Sequence, residues 1–342
     1  MRRLVATFAA SLIASFANAS ADIGLQRDVV FENYSPLSRT DELTQRILSP
    51  LLSIRVREKL AQSDHGMSDQ SIDLAHERFA VYVPPTHPAS GYALLVFIPP
   101  WEDAKIPMQW IGALDKHATI FVTAANSGND AKVIDRREPL ALLAAYNIMQ
   151  KYPVDASRVY VSGFSGGSRV ALRLALAYPD LFRGALLEAG SDPIGDMDLP
   201  IPKAQLFRQF QERSRIIYFT GRNDPEHLEQ DARSLRSLRE WCVTNIETVS
   251  MPWSGHETAD AVSFSRALDA LEETTPAPAR ASEACMKRVE EDLSAQLHEV
   301  ETSIARGDKS SAAKILEKID ARFGALAAPR SVDLMKAIES RR

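Results

Sequence analysis

The 342-residue sequence holds only two cysteines, only a small excess of acidic over basic residues and no apolar run long enough to span a membrane. Each shortage excludes something. Lys and Arg number 40 against 45 Asp and Glu, a net charge of −5, and both signs are mixed along the chain. That leaves no basic face for nucleic acid and no polybasic patch for a membrane surface. The seven histidines show neither H-x-x-x-H nor H-x-H spacing, which argues against metal catalysis. No dinucleotide fingerprint and no phosphate-binding loop occur, so no cofactor is expected. Cys242 and Cys285 are either one bridge or two buried thiols, and spacing does not choose between them.

What is present is ordinary globular composition, 45% hydrophobic and 25% charged. The length suits one large α/β domain plus something smaller. Residues 1–21 differ from the rest. Arg2 and Arg3 precede an uncharged apolar stretch from Leu4 to Phe16, and small residues follow at Ala17-Asn18-Ala19 and Ala19-Ser20-Ala21. This is the pattern of a secretory signal peptide, cleaved after Ala19 or Ala21, and it predicts a secreted or periplasmic protein. The apolar stretch falls short of the roughly 20 residues of a membrane span. No cysteine near the cleavage region invites a lipid anchor.

Residues 22–70 read as a polar N-terminal segment with two short helices meeting near Pro50, packed on the main domain. Residues 71–273 alternate in period. Strands are predicted at Arg78–Val83, Tyr92–Ile98, Thr119–Thr123, Arg158–Val161, Gly184–Glu188, Arg215–Phe219 and Ile246–Met251. Helices are predicted at Pro139–Lys151, Ser168–Tyr178, Leu228–Trp241 and His256–Leu271. Alternation of this kind implies a mostly parallel sheet with helices on both faces. Residues 274–281 have the Thr, Pro and Ala content of a linker. Beyond them, residues 282–342 carry two apolar helical stripes, Cys285 to Ile304 and Ala312 to Phe323, broken at Gly307-Asp308 and capped by Gly324. Two helices alone bury too little. This C-terminal hairpin must pack on the main domain, on a partner, or on a second copy of the chain.

The chemistry concentrates in Val159 to Ser168, a strand followed by Gly163-Phe164-Ser165-Gly166-Gly167 and then a helix. G-x-S-x-G between strand and helix is the sequence form of a nucleophile elbow. The turn requires small neighbours: Gly163 and Gly166 let the backbone close, and Gly167 lets the helix approach the strand. A serine hydroxyl is a weak nucleophile until a base takes its proton. In α/β-hydrolases the partners follow in the order Ser, Asp or Glu, His. Here Asp224 follows the strand Arg215–Phe219, and His256 follows the strand Ile246–Met251. Both therefore sit at the carboxyl edge of the sheet, where ligands of open α/β sheets bind. Glu226 and Asp192 compete with Asp224 as the acid, and His227 competes with His256, but Asp224 and His256 fit the order best. The oxyanion hole takes one backbone N–H from Gly166. The second comes from the loop Ile98-Pro99-Pro100-Trp101, where proline has no N–H and Trp101 offers the first amide. Trp101, Phe164 and Trp253 are the candidate walls of a substrate pocket.

With these residues placed, the chain resembles the α/β-hydrolase superfamily over roughly residues 72–272. Within it the chain is similar to the secreted polyhydroxybutyrate-depolymerase-like and feruloyl-esterase-like branch. The resemblance rests on Val159 to Arg169, on Ala175-Leu176-Ala177-Tyr178-Pro179-Asp180-Leu181-Phe182 and on Trp253-Ser254-Gly255-His256. That branch usually has His-Gly-Cys after the third strand, where this chain has Pro99-Pro100-Trp101. The resemblance implies a serine esterase acting on small or oligomeric carboxylic esters. A serine peptidase on the same scaffold is the alternative, with Arg136, Arg137 and Glu138 as a candidate clamp for a peptide terminus. A non-enzymatic interaction protein working through residues 282–342, by self-association or with a protein partner, is the third reading.

Overall fold

A computed structural model describes residues 22–62, 68–273 and 279–340. The leader read at residues 1–21 lies outside the described residues, as does linker stretch 274–278. Eight strands form one sheet: β1 (Gly24–Val29), β2 (Phe79–Val83), β3 (Tyr92–Ile98), β4 (Thr119–Ala124), β5 (Val154–Phe164), β6 (Gly184–Glu188), β7 (Arg215–Gly221) and β8 (Ile246–Met251). Their order is β1-β2-β4-β3-β5-β6-β7-β8. Strand β2 is antiparallel to β1 and β4, and every other neighbouring pair is parallel. β3, β4, β6 and β7 are buried at every position, which is why they appear in the sequence as continuous apolar runs.

Helices cover both faces. Short α3 (Ile111–Lys116) and α8 (Ala261–Glu272) pack on one, where Trp110 stacks on Phe264 at 4.1 Å and stands edge-on to Phe97. The other face carries α4 (Glu138–Lys151), α5 (Gly166–Ala177), α6 (Ala204–Arg213) and α7 (Pro225–Glu240). The N-terminal helices α1 (Thr40–Ile47) and α2 (Pro50–Ala61) join this second core. So do α9 (Ala279–Ala305), α10 (Lys309–Phe323) and α11 (Arg330–Glu339). Each large side chain removed from water in these cores contributes about 1.5–3 kcal/mol.

Several expectations need correction. The segment 22–70 is not only helical, because β1 adds an antiparallel edge strand before α1. Its residues GLQRDV are half-exposed and polar, so no apolar run marked it. The helix expected from His256 begins at Ala261, where the Asp260 carboxylate caps the amides of Val262 and Ser263. His256 is therefore a loop residue. The C-terminal region is a three-helix unit, with α11 following the expected pair, and α9 already starts within the expected linker. Its apolar stripe is spent on this second core. Leu297, Val300, Leu316, Ile319 and Phe323 are buried in it, and Phe323 meets Trp241 edge-on at 5.7 Å. Asp320 accepts the Leu51 amide at 3.1 Å and also the Ser49 hydroxyl. Cys242 and Cys285 form a disulfide with their Cα atoms 5.8 Å apart, stapling α9 to the end of α7. No helix among the described residues is long and apolar enough to cross a membrane.

Candidate active site

Strand β5 ends at Phe164, and α5 starts at Gly166, so Ser165 alone makes the turn. It takes φ 54° and ψ −122°, a conformation that non-glycine residues rarely adopt and that costs on the order of 1–3 kcal/mol. The Ser165 N–H donates to the Glu188 carbonyl at 2.8 Å, and its own carbonyl accepts from Ser168 at 3.0 Å, which holds the turn. The glycines matter in a different distribution from the expected one. A Cβ on Gly163 would lie 2.3 Å from the Gly167 backbone, and one on Gly167 would lie 1.9 Å from the Ile98 carbonyl oxygen. A Cβ on Gly166 would first meet the side chain of Asn129, 2.1 Å from its Oδ1. Gly163 and Gly167, rather than Gly166, are what allow the strand, turn and helix to close.

The expected partners converge on this turn. His256 Nε2 lies 3.1 Å from Ser165 Oγ, and His256 Nδ1 lies 2.7 Å from Asp224 Oδ2. The other carboxylate oxygen of Asp224 accepts from His227 Nδ1 at 2.8 Å. Asp224 is buried and also caps α7 through the His227 amide. Burial would push its carboxyl up, but the hydrogen bonds from His227 and His256, with the charge of His227, outweigh it and hold the group below the ordinary carboxylate range. The two imidazoles stack with centroids 4.0 Å apart and planes 16° apart. Glu226 is exposed on the first turn of α7, and Asp192 pairs with Arg169 at 3.5 Å, so neither reaches His256. The ligand-capable atoms of Asp224, His227 and His256 lie within 4.8 Å of one another. Both Nδ1 atoms of that cluster are engaged by Asp224.

Beside the elbow lies the loop after β3. Gly166 opens α5, so its N–H has no partner within the helix. Close contact between Gly167 and Ile98 brings the start of the Pro99-Pro100-Trp101 bend against the nucleophile turn. Two groups tie that bend down. The buried Arg137 donates to the Pro99 and Ser127 carbonyls at 2.9 and 3.0 Å, and the Asn129 N–H donates to the Pro100 carbonyl at 3.0 Å. Burial lowers the Arg137 guanidinium to about 10, against the pull of Glu102 and Glu138. The suggested peptide clamp is thus absent. Arg137 is committed to backbone carbonyls, Arg136 grips Glu77 with two bonds at 2.7 and 3.0 Å, and Glu138 is buried against Arg173.

Of the three expected pocket walls, two come together. The Phe164 ring lies 4.9 Å from His256 and 6.2 Å from Trp101, forming an apolar wall under the base. Trp253 does not join it; its residue surface is 89% exposed. Sequence reasoning missed the second bond to Asp224. The signal was available as Asp224-x-x-His227, an i, i+3 pair at a helix start. It also missed Glu188 and Asn129, which no motif marks.

No protein-family model matches the chain, and a search of curated proteins finds no match. Among solved structures, the S-formylglutathione hydrolase FrmB of Staphylococcus aureus is 12% identical, with 73% of this chain and 98% of that one covered at a TM-score of 0.46. A ferulic acid esterase is 15% identical, with 57% and 90% covered and a TM-score of 0.42. Dipeptidyl peptidase 4 of Porphyromonas gingivalis is 13% identical, with 58% of this chain covered and a TM-score of 0.42; the match spans 34% of that longer protein. The sheet order, the single antiparallel strand inside it and the strained strand-turn-helix at Ser165 are features of this chain itself. With Ser165, Asp224 and His256 at the carboxyl edge in that chain order, this is the α/β-hydrolase fold.

Proposed function

We propose that the chain is a serine hydrolase that cleaves carboxylic esters of small or oligomeric substrates through an acyl-enzyme. Ser165 Oγ attacks the ester carbonyl while His256 Nε2 takes its proton. The carbonyl π electrons move to oxygen, and the Gly166 and Trp101 amides receive that oxyanion. Collapse expels the alcohol, which leaves with the proton held by His256. Water then repeats the sequence on the acyl-serine: His256 removes its proton, the acid departs, and Ser165 recovers its hydrogen. Asp224, held ionised, keeps the imidazole in the required tautomer and stabilises its cation.

The unbroken relay Ser165–His256–Asp224, at 3.1 and 2.7 Å on a strained elbow, carries this assignment. The apolar wall of Phe164 and Trp101 suits an acyl chain. Export of the chain is proposed from its leader pattern, and the Cys242–Cys285 disulfide fits an oxidising compartment. A panel of p-nitrophenyl esters graded by acyl length, run beside peptide p-nitroanilides, tests the substrate class. Turnover of esters with little or none of the anilides is expected. Preferential turnover of the anilides would replace the esterase with a peptidase.

A further inference from the structure

Glu188 is the last residue of β6 and is fully buried. Its neighbours in register are Phe164 on β5 and Phe219 on β7, both apolar and buried. A carboxyl in such a place needs a reason. Its backbone carbonyl accepts the Ser165 N–H, and its side-chain Oε1 accepts the Ala259 N–H. One residue therefore holds both the nucleophile turn and the loop that carries His256 three positions before Ala259. The Ala259 carbonyl is fixed in turn by the Trp110 indole at 2.8 Å. The second oxygen, Oε2, is buried with no hydrogen-bond partner among the described residues.

We propose that Glu188 is a positioning residue for His256, its buried carboxyl locking the base loop against the strand that carries Ser165. This rests on the serine hydrolase assignment above. The geometry explains why a loop residue, with 40% of its side chain exposed, keeps its place in the relay. Phe164 transmits the arrangement, since its ring lies against His256 and its backbone pairs with Glu188.

The environment also makes the lock sensitive to alkali. Burial pushes the Glu188 carboxyl up to about 8, against the single Ala259 hydrogen bond. Among the described residues no charged side chain of β5, β7, the base loop or α8 shifts it. Asp231 stands two bonds away through Thr220 and the Ala189 amide, and His256 lies beyond the Phe164 ring. Near neutral pH the carboxyl is uncharged; above about 8 it becomes an anion in an apolar box.

The test compares wild type with Glu188→Gln and Glu188→Leu, each checked for folding by circular dichroism and melting. Glutamine keeps the acceptor for Ala259 but cannot ionise, whereas leucine removes the acceptor. The expected result has three parts. Glu188→Gln hydrolyses p-nitrophenyl butyrate within about threefold of wild type at pH 7 and retains activity above pH 8, where wild type declines. Folded Glu188→Leu loses tenfold or more in kcat with little change in KM, a factor consistent with a misplaced base. The downfield proton signal of the His256 Nδ1–H bonded to Asp224 is kept in the glutamine variant and is lost or shifted in the leucine variant. Wild-type kcat in folded Glu188→Leu would overturn the proposal, as would an unchanged His256 signal or an alkaline limb identical in wild type and Glu188→Gln. Wild type without hydrolytic activity would refute the esterase assignment instead, and the His256 signal would still decide the role of Glu188.

Discussion

Replacing Gly167 with alanine tests how the oxyanion loop is placed. The added methyl carbon would sit 1.9 Å from the Ile98 carbonyl oxygen and 2.8 Å from its carbon. Both are backbone atoms, so no rotamer change relieves the contact. The end of β3 and α5 must separate by roughly 1.5 Å to restore ordinary contact. Ile98 leads directly into Pro99-Pro100-Trp101, so that movement carries the Trp101 amide away from the site of the developing oxyanion. Loss of one such donor costs about 10²–10³ in kcat, or about 3–4 kcal/mol. Gly166→Ala is the control. Its methyl would lie 2.1 Å from Asn129 Oδ1, the far end of an exposed side chain that can turn aside. Its expected loss is less than tenfold. Both variants are assayed for kcat and KM on p-nitrophenyl acetate, with melting curves to establish folding. A folded Gly167→Ala enzyme with wild-type kcat would refute the placement of the hole against β3.

Asp224→Asn should lower kcat by about 10⁴, because an amide cannot hold His256 in the correct tautomer or stabilise its cation; a loss under tenfold would remove Asp224 from the relay. Cys285→Ser opens a loop of 43 residues, for which chain entropy gives about 4 kcal/mol, or about 6 °C in melting temperature for a chain of this size. An unchanged melting curve would show that helix packing alone secures the C-terminal unit. Glu188, pushed up by burial to about 8, and Asp231, pushed up by burial to about 7 against its Thr220 bond, both hold protons that the unfolded chain releases near pH 4. Folding stability contributed by each is complete below that pH and is lost as pH rises through 7 and 8, at most about 5 kcal/mol for Glu188. Denaturant titrations of Glu188→Gln between pH 5 and 9 should therefore show a flatter profile than wild type, and parallel profiles would contradict the buried neutral acid.

The central strands were legible because burial on both faces writes an unbroken apolar run, and β3 and β6 have the expected ends. The relay was legible because each member sits just past a strand and the chain order is fixed. Other elements left weaker traces. Strand β1 lies at the sheet edge with polar residues at Gln26, Arg27 and Asp28, and α6 anchors itself through little more than Phe207 and Phe210. α3 has only six residues. The helix expected from His256 failed because the real start signal, Asp260, lies four positions later. Chain order alone sets His227 aside as the base. That order hides a second role, since one carboxylate accepts from two rings. In the sequence Glu188 is simply the last residue of a strand. Nothing local separates a carboxyl that faces solvent from one that turns into the core to hold another loop.

The proposed chemistry depends on Ser165 as a nucleophile activated by its neighbours. Incubation with a fluorophosphonate, followed by intact mass and peptide mapping, measures this directly. One adduct on Ser165 is predicted in wild type, none in Ser165→Ala, and much slower labelling in His256→Ala. Equal labelling of wild type and Ser165→Ala, or an adduct mapped to another residue, would contradict it.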